Sequence, residues 1–492
     1  MRERERERER ARAPRPRSAI ASRRSASAAV ARRAGSRRRA AAPPWRGGGG
    51  GGGSGDSIGC VECLMGVMVT LGMGSCLPGE ERGVWARVPA WRRQRRWAAG
   101  KRKGATMGVG ARVEEELSRV PGRLVGNGES RAASLFTQQG RKGINQDAMI
   151  FWERFGSRED TAFCGVFDGH GPFGHLVAGK VRDILPLMLS ANIKMERSRS
   201  ASSKGTTSVC QDEASRGSGE SEARVAGEEA LETLAKSILT SFRIMDKELS
   251  LRRNINSFVS GTTAVTLIKQ GEDLLIGNLG DSRAVLGTRD QRNRLTAVQL
   301  TVDLKPDLPA ELERIKRCKG RVFPFKGEPH VARLWRPNHA SPGLAMARAF
   351  GDFCLKDCGL ISVPEIYYRR ITERDEFIVL ATDGVWEVLS NREVVKIVAS
   401  APNRASAARH IVEAANRAWS LKLPNNMTDD CTAVCLYLNT DNTTTTTTTD
   451  SSNPVNNNEI VLLNANGTLS NDVNGNPTEK PSASHSSSRR SE

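Results

Sequence analysis

Apolar segments of strand length, several of which follow one another without an intervening helix, constrain the fold of this chain more than any other feature. They are Phe163–Phe167, Thr263–Ile268, Leu274–Leu279, Arg283–Leu286, Glu376–Ala381 and Cys431–Leu438. Leu274–Leu279 and Arg283–Leu286 lie at hairpin distance across residues 280–282, which predicts that they pair. Helical spacing of apolar residues appears at 176–185 and across 226–250. Because consecutive strands favour antiparallel pairing, we predict an α+β fold with antiparallel sheets and helices outside them.

The folded part is predicted to lie between two segments of biased composition. Residues 1–110 carry 25 of the 74 Lys and Arg but only 8 of the 55 Asp and Glu, and they include seven consecutive glycines. Residues 439–492 contain a run of seven Thr and many Asn and Ser. Such segments bury too little apolar surface to offset chain entropy, so both are predicted to be disordered. Residues 111–438 form the predicted domain, with 195–224 as a mobile insertion because that segment is polar and lacks periodicity.

Most of the net charge of +19 lies in the N-terminal segment, so the predicted domain is close to neutral. A neutral domain argues against nucleic acid as the partner of the core, because phosphate contacts require clustered cations. Binding of nucleic acid through the basic N-terminal segment stays open as an alternative function.

The location of the protein is predicted from its cysteines and its apolar runs. Ten cysteines without a repeated spacing favour an intracellular protein, in the cytoplasm or the nucleus. A plastid transit peptide at 11–46 and a lipid anchor at Met73–Cys76 are the alternatives. No transmembrane segment is predicted, because the longest apolar run, Leu64–Leu77, is too short to span a bilayer.

Aspartates at the ends of predicted strands are the main candidates for a functional site. Asp168 and Asp383 each follow a strand and precede glycine, Asp429 precedes the last strand, and Asp147 precedes the apolar segment 148–152. An isolated Asp-Gly pair is also a common turn. Carboxylates that converge repel one another and take up protons unless a cation lies among them. Mg²⁺ and Mn²⁺ prefer hard oxygen ligands, whereas zinc sites usually contain Cys or His. The pattern of aspartates therefore predicts a site for Mg²⁺ or Mn²⁺.

Seven short motifs contain these aspartates and follow one another in a fixed order. They are Gly140–Asp147, Val166–Gly171, Ser260–Ala264, Asn278–Arg283, Leu344–Asp352, Leu380–Glu387 and Asp429–Thr432. In these motifs the chain resembles the protein phosphatase 2C family over residues 130–438, and its plant members most. The resemblance implies a four-layer αββα sandwich, in which two antiparallel β-sheets are flanked by helices.

The resemblance also implies roles for individual residues. Asp168 matches a carboxylate that bridges two metal ions, and Gly169 matches a ligand that binds through its carbonyl group. The other residues that match metal-binding acids are Asp147, Asp383, Asp429 and, at a weaker third position of some members, Asp281. Two Mg²⁺ or Mn²⁺ ions per subunit are therefore expected. His170 matches the proposed general acid, which protonates the leaving oxygen.

The function implied by the resemblance is a protein serine/threonine phosphatase. Its substrates would be phosphoserine and phosphothreonine proteins, attacked by metal-activated water without a phosphoenzyme, and a monomer is expected. Two positions depart from the family. Lys142, beside Arg141, stands where many members carry a phosphate-binding Arg, so it is the candidate for that role here. Gln146 stands where many carry Glu, and it favours the alternative of a pseudophosphatase or scaffold that binds phosphoproteins without turnover.

Overall fold

The computed structural model describes residues 116–117, 119–204, 219–252, 254–339, 341, 343–422, 428–439 and 460–464. The N-terminal segment 1–110, for which we predict disorder, lies outside the described residues. Residues 205–218 of the predicted insertion and most of the predicted disordered tail also lie outside them.

The strands of the described part are short and numerous. In chain order they are β1 Arg123–Leu124, β2 Gly128–Glu129, β3 Ala133–Gln138, β4 Ala148–Trp152, β5 Thr161–Phe167, β6 Gly169–His170, β7 Gly261–Thr262, β8 Ala264–Gln270, β9 Asp273–Leu279, β10 Arg283–Arg289, β11 Leu295–Gln299, β12 Arg321–Phe325, β13 Glu328–Trp335, β14 Gly343–Leu344, β15 Phe350–Gly351, β16 Glu365–Arg370, β17 Asp375–Ala381, β18 Cys431–Tyr437 and β19 Val461–Leu463. Every predicted strand segment overlaps one of these strands, which confirms the strands predicted from the apolar runs.

Two antiparallel sheets pack face to face in the middle of the fold. The first sheet has seven strands in the order β1-β4-β5-β8-β9-β16-β19, and the second has six in the order β11-β10-β17-β18-β3-β2. Between them lies an apolar core with Val166 and Val265 from the first sheet and Ile378 and Val434 from the second, all without solvent exposure. Burial of this shared face is the main force that holds the sheets together.

Helices cover the outer face of each sheet. The α-helices of the described part are α1 Gly174–Lys204, α2 Gly219–Leu251, α3 Pro309–Arg317, α4 Phe353–Lys356, α5 Asp383–Trp386, α6 Asn391–Ser400 and α7 Ala407–Lys422. The helices α1 and α2 bury apolar residues such as Val177 and Ile238 with the first sheet. On the other side, α6 and α7 bury Val394 and Ile411 with the second sheet. The four layers confirm the predicted αββα sandwich.

The prediction that Leu274–Leu279 and Arg283–Leu286 pair as a hairpin is wrong. The strand β9 pairs with β8 and β16 in the first sheet, whereas β10 pairs with β11 and β17 in the second. The chain crosses between the sheets at residues 280–282, where Gly280 adopts a φ of 108° that favours glycine. The crossing places Asp281 at the junction of the two sheets.

Two segments that were predicted to lack regular structure contain some. The helix α1 continues to Lys204 and α2 begins at Gly219, so helices enter both ends of the predicted insertion 195–224. In the predicted disordered tail, β19 pairs with β16, and Leu463 lies opposite Ile366 with only 5% of its surface exposed. Because β16 would otherwise present an unpaired edge, four apolar residues suffice to add a strand there.

Two small sheets lie beside the sandwich. In one, β6 and β15 pair on either side of β7, so that His170 faces Gly261 and Gly351 also faces Gly261. In the other, β12, β13 and β14 enclose Trp335, whose side chain is buried. Trp335 therefore packs within its own domain, where its ring stacks on that of Phe323.

Candidate active site

The strand-end aspartates converge at one end of the sandwich. Asp168 follows β5 of the first sheet, and Asp383 follows β17 of the second after a single residue. Their carboxyl groups are in hydrogen-bonding contact with each other. The negative charge of Asp429 lies close enough to raise the pKa of both. Asp147, which precedes β4, acts electrostatically on Asp168 as well. The predicted convergence of these four acids is confirmed.

Burial and mutual repulsion oppose ionisation of this cluster. Burial raises the pKa of Asp168 well above its ordinary value, and the charges of Asp383 and Asp147 raise it further. Burial also raises the pKa of Asp147, against the hydrogen bonds that it receives from Thr432 and Thr382. The pKa of Asp383 rises to about 7 because it is buried and lies near Asp281 and Asp429. Such a group of carboxylates favours a bound cation.

The glycines that follow Asp168 and Asp383 lie too close to neighbouring backbone to be replaced by a residue with a side chain. A Cβ atom on Gly169 would lie 2.5 Å from the carbonyl oxygens of Gln146 and Gly174, and one on Gly384 would overlap the carbonyl oxygen of Asp430. Neither position has space for a side chain, because backbone lies against it. The close approach of backbone at Gly169 leaves its predicted role as a carbonyl ligand open.

Two lysines pair with acids of the site. Lys142 Nζ contacts Asp429 Oδ2 at the mouth of the cluster, and Lys305 Nζ contacts Asp281 Oδ2. Burial lowers the pKa of each lysine, but the neighbouring carboxylates outweigh it, so both pKa values lie above the ordinary one. The structure thus brings Lys142 to the site, whereas sequence reasoning missed Lys305, which belongs to none of the seven motifs.

The loop that precedes Asp147 is held by Asp430. The Asp430 carboxylate accepts hydrogen bonds from the backbone N–H groups of Gly140 at 2.7 Å and of Gln146 at 2.8 Å. The role of Asp430 was not predicted from the sequence, although its position next to Asp429 could have indicated that it belongs to the site. Arg141 lies in this loop with an exposed side chain, and its backbone N–H donates to the carbonyl oxygen of Thr428 at 2.8 Å.

Gln146 takes part in the same packing. Its side-chain Nε2 donates to the carbonyl oxygen of Gly171 at 3.0 Å, and its own carbonyl oxygen accepts from Gly169 N–H at 3.2 Å. The residue therefore links the loop before Asp147 to the turn that carries His170. A neutral amide serves this purpose without adding another negative charge to the cluster.

His170 lies between the acidic cluster and a further aspartate. Its Nε2 is 2.5 Å from Oδ2 of Asp352, the last residue of the fifth motif, which directly follows β15. Burial lowers the pKa of His170, but Asp352, and then Asp281 and Asp383, outweigh burial and raise it above 6.5. The partnership with Asp352 was missed because nothing in the sequence relates two positions that are 182 residues apart.

The donor set fits a hard divalent cation. The converging side chains offer carboxylate oxygens, and burial together with their mutual repulsion raises the pKa values of Asp147, Asp168 and Asp383. Oδ1 of Asp281 is buried without a hydrogen-bond partner in the described part. Among the described residues, no group of three or more His, Cys, Asp and Glu has the mutual arrangement of a metal site.

Comparisons with known proteins agree with this geometry. The family model for protein phosphatase 2C matches residues 133–422. Probable protein phosphatase 2C 14 of Oryza sativa subsp. japonica is 54% identical over 390 residues, which cover 78% of this chain and 73% of the relative. Probable protein phosphatase 2C 33 of Arabidopsis thaliana is 54% identical over 398 residues, covering 75% and 81%. A crystal structure of serine-threonine phosphatase 2C from Toxoplasma gondii matches with a TM-score of 0.53 at 25% identity, covering 65% of this chain and 99% of that one.

Proposed function

Because this chain belongs to the protein phosphatase 2C family of serine/threonine phosphatases, we propose that it hydrolyses phosphoserine and phosphothreonine proteins with Mg²⁺ or Mn²⁺ as cofactor. The observation that carries the proposal is the convergence of Asp147, Asp168, Asp383 and Asp429. Four acids delivered by separate strands to one buried place are stable as carboxylates only beside positive charge.

These acids and the Gly169 carbonyl would hold two metal ions, with Asp281 as the residue for a weaker third. When bound, the ions lower the pKa of a water molecule and neutralise phosphate oxygens, which permits direct attack on phosphorus without a phosphoenzyme. The hydroxyl groups of Thr382 and Thr432 orient the Asp147 carboxylate, and the Thr382 bond measures 2.9 Å. A carboxylate fixed in this way loses little entropy when it takes up its ligand.

The charges around the cluster suit a phosphorylated substrate. Lys142 lies at the mouth with about half of its side chain exposed (49%), and Arg141 is exposed beside it. We assign both to binding of phosphate oxygens, Lys142 as a point charge and Arg141 as a planar donor. His170 protonates the serine or threonine oxygen as it leaves phosphorus, since an alkoxide is a poor leaving group.

Substitution of Asp168 tests the function. Asp168→Asn should lower magnesium-dependent hydrolysis of a phosphothreonine peptide at least 10²-fold, because about 3 kcal/mol or more of charge stabilisation is lost. Asp160→Asn is the matched control, since Asp160 is an exposed aspartate paired with Arg158. Calorimetry with MnCl₂ should detect binding to the unsubstituted protein and weaker binding to Asp168→Asn. Absence of both turnover and metal binding in the unsubstituted protein would refute the proposal.

The non-catalytic alternative receives no support from Gln146, the residue that suggested it. Gln146 bonds to the Gly171 backbone, and the five aspartates expected at the site lie next to one another. Metal binding without turnover of any phosphopeptide would be the result that favours a pseudophosphatase. The monomeric state and the intracellular location stay predictions. Within the described residues, no helix has the combined length and apolarity needed to cross a bilayer.

A further inference from the structure

His170 and Asp352 form a close and mostly buried pair. The two atoms in contact, Nε2 and Oδ2, are 2.5 Å apart, and the side chains are 19% and 3% exposed. Asp352 immediately precedes the helix α4, but its side chain makes no capping hydrogen bond to that helix. Its carboxylate is directed at the imidazole ring instead, so a role in helix capping does not account for this aspartate.

The backbone around Asp352 is held in an unusual conformation. Gly351 and Asp352 have φ values of 75° and 48°, and the left-handed region is uncommon for a residue with a side chain. Asp246 of α2 accepts hydrogen bonds at 2.9 Å from Gly351 N–H and from Lys356 Nζ, and Asp352 N–H donates to Ser260 O at 3.0 Å. Strained conformations that neighbouring contacts enforce in this way are typical of functional positions.

The contact between His170 and Asp352 leaves no space for a side chain at Gly261 of the neighbouring strand β7. A Cβ atom on Gly261 of β7 would overlap Oδ2 of Asp352 and lie 2.7 Å from Nε2 of His170. Glycine at this position therefore lets the carboxylate and the ring meet. The small sheet β6-β7-β15 fixes both partners through its backbone pairing.

The second ring nitrogen of His170 is free. Nδ1 is buried and has no hydrogen-bond partner among the described residues, whereas Nε2 is engaged by Asp352. A carboxylate only accepts hydrogen bonds, so Nε2 must carry a hydrogen in this pair. The proton that His170 can give away is then the one on Nδ1.

We propose that Asp352 is the positioning residue of His170, which it holds through Nε2–H so that Nδ1 is the atom that protonates the leaving oxygen. This inference rests on the proposed phosphatase function. As the P–O bond to the serine or threonine oxygen breaks and water adds to phosphorus, the Nδ1 proton moves to that oxygen and releases a neutral alcohol. The imidazolium becomes neutral imidazole, and Asp352 keeps its charge and its Nε2–H bond. A water molecule that enters once the alcohol has left returns the proton to the buried Nδ1.

Comparison of two substrates isolates this step. A phosphothreonine peptide has a leaving alkoxide that needs a proton, whereas the p-nitrophenolate of p-nitrophenyl phosphate is a much weaker base and leaves without one. In the full-length protein with saturating Mg²⁺, Asp352→Asn should lower kcat for the peptide about 10²-fold with little change in KM. The ratio of peptide kcat to aryl phosphate kcat should fall at least tenfold. Because both rates come from one preparation, the ratio does not depend on the folded fraction.

A double substitution separates positioning from a merely structural role. If Asp352 acts through His170, Asp352→Asn should not lower the substrate ratio further in a His170→Asn background. Gly261→Ala should lower the same ratio, because its methyl group forces the pair apart. Gly179→Ala is the matched control, since a Cβ on Gly179 has no atom within 4 Å.

Three results would count against the inference in distinguishable ways. An unchanged ratio in Asp352→Asn, in a protein whose parent hydrolyses both substrates, would overturn the role of Asp352 alone. Multiplicative losses in the double variant would show that Asp352 acts independently of His170 and overturn it as well. No turnover of either substrate by the parent protein would overturn the proposed function and this inference with it.

Discussion

A buried ion network around Glu311 gives a quantitative prediction for stability. The Glu311 carboxylate, 3% exposed, lies 2.6 Å from Arg314 and 2.6 Å from Arg348. Removing one partner of a buried ion pair costs about 3–5 kcal/mol when the other charge is left alone. Here Arg348 keeps Glu365 at 3.0 Å, and Arg314 keeps two carbonyl acceptors. We therefore expect Glu311→Gln to lower the free energy of unfolding by less, about 2–3 kcal/mol.

The assay is urea unfolding of the parent and of Glu311→Gln at a series of pH values. Glu376→Gln is the matched control, because Glu376 pairs with Arg289 at a partly exposed position and should cost under about 1 kcal/mol. Burial raises the pKa of Glu311, but the two arginines outweigh it and hold that pKa below 4.5. The stability that ionised Glu311 supplies is thus complete above pH 4.5 and is lost as the pH falls through the folded-state pKa. Equal costs for the two variants at pH 7, or a gap that widens in acid, would refute the reasoning.

Two further substitutions test packing that the structure shows. Gly384→Ala should destabilise the protein by about 1–3 kcal/mol in urea unfolding, because its Cβ would overlap the Asp430 carbonyl oxygen. Gly126→Ala, with no atom within 4 Å of its Cβ, should not. Leu463→Ala in β19 should cost about 2 kcal/mol, whereas Leu462→Ala, at a position 43% exposed, should change stability by about 0.5 kcal/mol at most. Equal effects within either pair would contradict these packing arguments.

The sequence predicted the elements that local patterns determine. Buried strands such as β5 and β17 appear as apolar runs because both of their faces are covered, and the acids at their ends mark where these runs stop. The layered architecture followed because consecutive strands pair antiparallel. The convergence of Asp168 and Asp383 could be predicted, since strands of packed sheets that end together bring their end residues together.

The remaining features depend on contacts that no local pattern records. A three-residue connection fits a hairpin as well as a crossing between sheets. The sequence therefore could not predict that β9 and β10 lie in different sheets. The pairing of His170 with Asp352 depends on strands of only two residues, which are too short to show a period. Residues 460–463 are apolar in a polar tail, and only the free edge of β16 gives them a place to bind.

The acids of the site come from both halves of the sandwich, Asp147 and Asp168 from one sheet and Asp383 and Asp429 from the other. The negative charges of the two sheets repel one another across the interface between the sheets, and a bound cation removes this repulsion. A cation bound there would hold the two sheets together. Because it would bind the folded state and not the unfolded one, its binding would also raise the free energy of unfolding. An unfolding midpoint that rises with the concentration of the bound ion is the direct consequence.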